Sequence, residues 1–184
     1  MAKKIFLIGA GRSASYLIKY LIEESRINDF KIRIGDKDLH LIDSEIDKND
    51  RVDAFIFDVF DDIQRNTEIQ NSDIVISMLP ANLHIKVAED CVRLKKNLVT
   101  ASYVSDDIKS LNELAVKQGV LLLNEIGLDP GIDHMSAMKV IDKIKKEGGH
   151  LKSFKSYCGG LVAPAYDTNP WKYKFTWNPR NVVI

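Results

Sequence analysis

Three observations predict an α/β fold built on a parallel sheet. Short apolar runs alternate with stretches of helical periodicity from residue 4 to about residue 124. A glycine-rich turn follows the first apolar run. Near residue 131 the rhythm changes, and Gly, Pro and aromatic residues replace the alternation. Strand and helix in steady succession need crossover connections, which give parallel strands with helices on both faces.

Taken in order, strands are expected over residues 4–9, 31–36, 53–57, 74–79, 97–100 and 120–124. Helices are expected over 13–24, 61–70, 83–95 and 106–118. In the first helix Ala14, Leu17, Ile18, Leu21 and Ile22 recur at helical spacing. Unbroken apolar cores such as Ile74-Val75-Ile76 suit strands buried on both faces. Residues 131–147 read as a further helix, stopped by Gly148-Gly149 in the usual left-handed manner. Beyond it, 151–157 alternates like a half-exposed strand, 158–170 is loop, and 171–177 alternates aromatic and polar residues. That last part reads as the start of a second, α+β domain. The division expected is residues 1–130 for a first domain and 131–184 for the beginning of a substrate-binding one. A domain begun near residue 150 and ended about 35 residues later cannot bury its own core, so the chain is expected to be a fragment or its last part to lean on a partner.

The turn Gly9-Ala10-Gly11-Arg12-Ser13-Ala14 fits G-x-G-x-x-(G/A) in the required strand–turn–helix context. Gly9 allows the tight turn, Gly11 lets a diphosphate approach the backbone, and Ala14 permits close helix–strand packing. The helix N-terminus offers N–H groups and partial positive charge to phosphates. Asp36 ends the second strand 25 residues after Gly11, near the spacing of a ribose-binding carboxylate. The alternative for Asp36 is a plain Gly-Asp turn. This is the signature of a Rossmann-type doubly wound sheet carrying NAD or NADP. Asp36 favours NAD, because a carboxylate repels a 2′-phosphate, while Lys37 and Arg12 are cations able to accommodate NADP. Asp58, after the third strand, and Leu79 and Pro80, after the fourth, lie at the sheet's carboxyl edge, where ligands bind in such sheets.

Composition removes several function classes. Lys plus Arg and Asp plus Glu number 26 each, so no electrostatic case exists for nucleic acid or an anionic membrane. No run approaches the ~20 apolar residues of a membrane span. Cys91 and Cys158 make no disulfide framework, which points to reduced thiols and the cytoplasm. His84 and His134 make no metal-site spacing, so no metal is expected. An exposed second-domain segment points to self-association as a homodimer.

Residues 124–134 read Asn-Glu-Ile-Gly-Leu-Asp-Pro-Gly-Ile-Asp-His. Glu125, Asp129 and Asp133 crowd a turn shaped by Gly127, Pro130 and Gly131. The plain reading makes Asp129 a helix N-cap with Pro130 at the first helical position.

Gly-Ala-Gly at the first turn, Ser77-Met78-Leu79-Pro80 and Val99-Thr100-Ala101-Ser102-Tyr103 together resemble the saccharopine reductases, the glutamate-forming saccharopine dehydrogenases. Residues 124–134, 153–161 and 169–177 are more specific matches, and the similarity runs over essentially the whole chain. The resemblance implies a Rossmann domain interrupted by a substrate domain. It implies NAD(P)-linked oxidation of saccharopine, a small amino-acid substrate, to L-glutamate and 2-aminoadipate 6-semialdehyde, or the reverse. By motif, Tyr103, Asp129 and Cys158 would be catalytic. Ser102, Tyr103, Asp129, Cys158, Gly159, Trp177 and Arg180 would line the substrate. Val162 and Ala165 depart from the Pro and Glu usual in the family. Related lysine 6-dehydrogenase or carboxynorspermidine dehydrogenase chemistry, or a non-catalytic nucleotide-binding module, are the competing readings.

Chemically, Asp129 is a candidate base, a loop carboxylate beside Ile126, Leu128 and Ile132. Tyr103 offers a phenol donor or is an ordinary amphipathic Tyr. Cys158 is a polar contact or plain packing rather than a nucleophile. Arg180 is a carboxylate clamp or a solvated Arg.

Overall fold

The structure, a computed structural model, describes residues 2–38, 50–157 and 162–174. The chain divides into two units, residues 1–135 and 136–184. The first unit carries six parallel strands, β1 (Lys3–Ile8), β2 (Phe30–Asp36), β3 (Val52–Ile56), β4 (Ile74–Ser77), β5 (Asn97–Thr100) and β6 (Leu122–Leu123). Their order is β3-β2-β1-β4-β5-β6. The chain therefore reverses its direction of travel between β1 and β4, the switch point where a crevice opens at the carboxyl edge.

Alternation along β1 builds both faces of the sheet. Phe6 and Ile8 join Phe57, Val75 and Leu98 beneath α2 (Asp62–Gln70) and α3 (His84–Arg93) through Ile69, Val87 and Ala88. Leu7 points the other way, to Ile32, Ile34, Ala14, Ile18 and Leu21 under α1 (Ser15–Ile27). Each fully buried Leu, Ile, Val or Phe in these two clusters contributes about 1.5–3 kcal/mol. Helix α2 is started by Asp61, whose carboxylate accepts from Ile63 N and Gln64 N, both at 3.0 Å. Helices α2 and α3 are also joined by a buried ion pair. Arg65 Nε donates to Asp90 Oδ2 at 2.6 Å, and the two residues are 6 % and 7 % exposed. Cys91 lies buried beside it, and burial pushes its thiol up, out of the reactive range.

Three sequence expectations are corrected. The helix expected over 106–118 is two, α4 (Asp106–Ser110) and α5 (Asn112–Gln118), broken at Leu111. Ser105 caps the first through its hydroxyl at 3.3 Å, and Gly119 at φ 68° stops the second. The strand expected over 120–124 pairs only at Leu122 and Leu123, because the chain then turns under β5 to make the bonds described below. Residues 151–157 form no strand: a strand needs a hydrogen-bonded neighbour, and none runs beside this segment among the described residues.

Helix α6 (Ile132–Lys146) ends at Gly148, φ 79°, with Gly149 N donating to Ile144 O at 2.9 Å. In the second unit Pro164–Tyr166 makes a single 3₁₀ turn, and Asn169 Nδ2 donates to Tyr173 O at 2.8 Å. Among the described residues no helix is long and apolar enough to cross a membrane.

Candidate functional site

The candidate coenzyme residues follow four adjacent strands at their carboxyl ends. After β1 the chain turns through Gly9 at φ 98°, a region closed to most side chains. A Cβ there would also stand 3.1 Å from the backbone carbonyl of Met78. Gly11 leads into a 3₁₀ turn, Arg12–Ala14, whose N-terminus has no side-chain cap. A Cβ at Gly11 would meet nothing within 4 Å. The exposed Arg12 and Ser13 begin this turn, and Ala14 is buried against the sheet. An open, uncapped helix start beside a close backbone approach fits a diphosphate.

Asp36 closes the turn from the next strand. Its Oδ2 accepts from Ala10 N at 2.5 Å and its Oδ1 from Asp38 N at 3.0 Å. Lys37 Nζ lies 3.4 Å from Asp58 Oδ1 and 5.2 Å from the centre of the exposed Phe60 ring. Asp58 is held below the usual carboxylate range, first by the Phe60 backbone N–H and further by Lys37. Leu79 and Pro80 follow β4, and Pro80 O accepts from Leu83 N at 2.9 Å.

The candidate chemical residues follow β5 and β6. Ser102 and Tyr103 continue β5, and Asp129 sits in the loop after β6. The two loops are laced together. Glu125 N donates to Ser102 O at 3.0 Å, and Ile126 N to Thr100 O at 3.2 Å. Glu125 adopts φ 62°, rare for a non-glycine residue, and its carboxylate accepts from Val104 N at 3.1 Å. Gly131 at φ 146° allows the loop to fold on itself, since a Cβ there would stand 2.2 Å from Gly127 O. The Asp129–Pro130 peptide is cis. Tyr103 Oη then donates to Asp129 Oδ1 at 3.3 Å. Burial first, and then the Asp129 charge, push the phenol up, so Tyr103 is a hydrogen-bond donor at neutral pH. Asp133 Oδ1 accepts from Gly131 N at 2.9 Å and lies 2.8 Å from His134 Nδ1. That hydrogen bond, with the Asp133 charge, raises the imidazole's affinity for a proton. Asp133, in the first turn of α6, receives the Gly131 amide just before the helix.

Of the sequence-derived site residues, the structure thus brings Tyr103 and Asp129 into contact, with Ser102 next to Tyr103 in the chain. It gathers Gly9, Gly11, Arg12, Ser13, Ala14, Asp36, Lys37, Asp58, Leu79 and Pro80 at the same edge of the sheet. Cys158, Gly159, Trp177 and Arg180 lie outside the described residues. The sequence reading missed a buried polar cluster: His84, 2 % exposed, with Ser77, Thr100 and Ser102 around its ring. The available signal was that Ser77 and Thr100 end adjacent strands. Among the described residues, no group of three or more His, Cys, Asp or Glu is placed to hold a metal.

Comparison with known proteins agrees with the geometry. Residues 5–123 match the family model described as the saccharopine dehydrogenase NADP binding domain, and residues 127–184 that of the saccharopine dehydrogenase C-terminal domain. The chain is 39% identical to the NADP(+)-linked, L-glutamate-forming saccharopine dehydrogenase of Saccharomyces cerevisiae, across 100% of this chain and 40% of the relative. It is 40% identical to the alpha-aminoadipic semialdehyde synthase of Arabidopsis thaliana, across 100% of this chain and 19% of the relative. A mitochondrial alpha-aminoadipic semialdehyde synthase of Rattus norvegicus is 39% identical, across 99% of this chain and 19% of the relative. The solved apo saccharopine dehydrogenase (L-Glu forming) from S. cerevisiae superposes with a TM-score of 0.78 at 38% identity, covering 98% of this chain and 40% of that one. The chain spans less than half the length of these relatives. With family models matching nearly all of its length, the chain belongs to the saccharopine dehydrogenase family.

Proposed function

We propose that this chain is the coenzyme-binding and acid-bearing part of an NAD(P)-dependent oxidoreductase of lysine metabolism. The reaction is oxidation of saccharopine, with water, to L-glutamate and 2-aminoadipate 6-semialdehyde, or its reverse. The observation that carries this reading is the Tyr103–Asp129 hydrogen bond, 3.3 Å, at the edge of the sheet whose first turn fits a diphosphate. In this reading residues 1–130 are the dinucleotide-binding domain and 131–184 the beginning of the substrate-binding one.

A bound NAD(P)+ would supply the hydride acceptor for the carbon bearing the secondary amine. Gly11 and Ser13 would present backbone N–H groups to its diphosphate, while Gly9 and Ala14, whose N–H groups donate to Gly35 O and Gly11 O at 2.9 and 2.8 Å, shape the turn that receives it. Asp129 accepts the amine proton, returns it to the imine nitrogen once the hydride has gone, and then takes a proton from the water that adds to the imine carbon, a proton that leaves with the amino group of glutamate. Tyr103 keeps that carboxylate oriented and donates from its phenol. Ser102 supplies a further hydroxyl, and Cys158, Gly159, Trp177 and Arg180 are the proposed contacts from the substrate side.

The preference for NAD drawn from Asp36 has no support in the comparisons, where the matching family model is an NADP binding domain and the S. cerevisiae saccharopine dehydrogenase is NADP(+)-linked. The geometry offers a reason: both Asp36 oxygens are engaged by backbone N–H groups, so the carboxylate serves first to hold the glycine turn. Lys37 and Arg12 are then the cations for a 2′-phosphate, and NADP is the coenzyme we favour. A homodimer is the proposed assembly, supported by the exposed Leu151, Phe154, Tyr157 and Trp171, and a cytoplasmic setting the proposed location. Sedimentation showing only monomer refutes the first, and cell fractionation tests the second.

The deciding experiment follows reduced coenzyme by absorbance when the whole protein carrying this chain meets NADP+ and saccharopine. Turnover supports the reading. Silence with saccharopine but turnover with lysine or carboxynorspermidine assigns a related dehydrogenase. Coenzyme binding without any turnover leaves a nucleotide-binding module.

A further inference from the structure

The proposed chemistry sets where each end of the coenzyme must lie. Tyr103 and Asp129 follow β5 and β6, so the nicotinamide belongs on that side of the switch point. The diphosphate belongs at the Gly9 turn after β1. A dinucleotide spans the crevice with one nucleotide on either half of the sheet, so the adenosine end falls over the carboxyl ends of β2 and β3.

Phe60 stands at that place. It follows β3, and it is 54 % exposed. A single exposed apolar side chain is ordinary on a protein surface. This one is distinguished by its support and its neighbours. Its backbone is fixed: Phe60 N donates to Asp58 Oδ1, Asp61 N to Asp58 O and Asp58 N to Gln64 Oε1, each at 3.0 Å. The turn is thereby braced by the start of α2, and the ring is presented outward at little further cost in conformational freedom. Two ammonium groups from different elements converge on it. Lys37, after β2, lies 5.2 Å from the ring centre, and Lys86, in the first turn of α3, lies 5.7 Å from it. The place is also joined to the diphosphate turn. Asp36 accepts from Ala10 N, and its neighbour Lys37 reaches Asp58 Oδ1 at 3.4 Å.

An open aromatic face on a fixed turn suits a flat, uncharged π system, which it meets by stacking. Adenine is such a ring. Asp36 and Asp58 do not oppose it, because the base carries no charge. The two ammonium groups favour it, since the π face of the base attracts a cation as that of Phe60 does.

We infer that Phe60 is a coenzyme-binding residue, the platform on which the adenine ring stacks, with Lys37 and Lys86 held beside it. This rests on the coenzyme binding proposed above and not on the identity of the amine substrate.

Calorimetric titration of the whole protein carrying this chain tests it. The probes are NADP+ and adenosine 2′,5′-bisphosphate, which has the adenosine end and no nicotinamide. Phe60→Ala should weaken both by the same factor, roughly 10-fold, the usual size of a lost base–aromatic stack. Phe60→Leu keeps an apolar side chain without a π face and should lose nearly as much. Phe60→Tyr keeps the face and should bind within about 3-fold of wild type. Because Phe60 is exposed, the variants should fold with an unchanged urea midpoint. Wild-type affinity in Phe60→Ala or Phe60→Leu, or a loss seen with NADP+ but not with the bisphosphate, overturns the inference. A wild-type protein that binds neither probe refutes the coenzyme reading and the platform with it. A protein silent with saccharopine that still shows the Phe60 losses refutes the proposed reaction and leaves the platform established.

Discussion

Acidification should destabilise this domain through His84, and the size of the effect follows from its burial. The imidazole is 2 % exposed, sits among hydroxyls rather than carboxylates, and is pushed by desolvation from 6.5 to about 4. As pH falls below 6.5 the unfolded chain takes up a proton that the folded chain refuses. The unfolded state then binds more protons, so stability declines with falling pH over the window from 6.5 to 4, is constant above it, and levels off below it. A group with those two values removes about 2 kcal/mol by pH 5 and approaches about 3 kcal/mol near pH 4. Such a loss is a large share of the 5–15 kcal/mol typical of a domain. The assay is urea unfolding followed by circular dichroism at pH 5 and pH 7.5, on wild type and His84→Gln. Gln does not titrate, so carboxylates and other histidines cancel in the difference. Wild type should lose about 2 kcal/mol more than the variant between the two pH values. Parallel losses would refute the reasoning and mean that the ring is hydrated or protonated in the fold.

Other outcomes follow from the same geometry. Asp129→Asn in the whole enzyme should lower kcat by about 10²–10⁴-fold and flatten the acid limb of the pH–rate profile; an unchanged profile returns Asp129 to a structural role. Asp36→Ala should weaken NAD and NADP alike, because it frees the Ala10 amide and loosens the whole turn; calorimetric titration showing a loss confined to NAD would restore the ribose-selecting reading. Asp90→Ala leaves the buried Arg65 guanidinium with only Asp62 and the Val59 carbonyl, and should cost about 3 kcal/mol in urea unfolding. A loss under about 1 kcal/mol would mean that water reaches the pair.

Much of the architecture was legible in the residues, for a local reason. Period-2 and period-3.6 patterns are properties of neighbouring residues, so Phe6, Leu7 and Ile8 already state that β1 is covered on both faces. Gly9 and Gly11 in G-x-G-x-x-A likewise need no tertiary context to mark a phosphate turn. Other features depend on partners far away along the chain. The segment 151–157 has the alternation of a strand, yet alternation does not supply a hydrogen-bonded neighbour. Asp36 reads as a ribose ligand, and only the fold shows that its carboxylate also accepts the Ala10 amide, 2.5 Å away.

The sequence by itself determined the parallel sheet, its glycine turn and the acidic loop, because periodicity, missing Cβ atoms and proline act over a few residues. Only the tertiary structure decided that Ser77, His84, Thr100 and Ser102 share one buried network and that Tyr103 reaches Asp129 across 26 positions. These groups come from different strand ends, the start of α3 and the loop after β6, and nothing but the closing of the fold brings their polar atoms within hydrogen-bonding range.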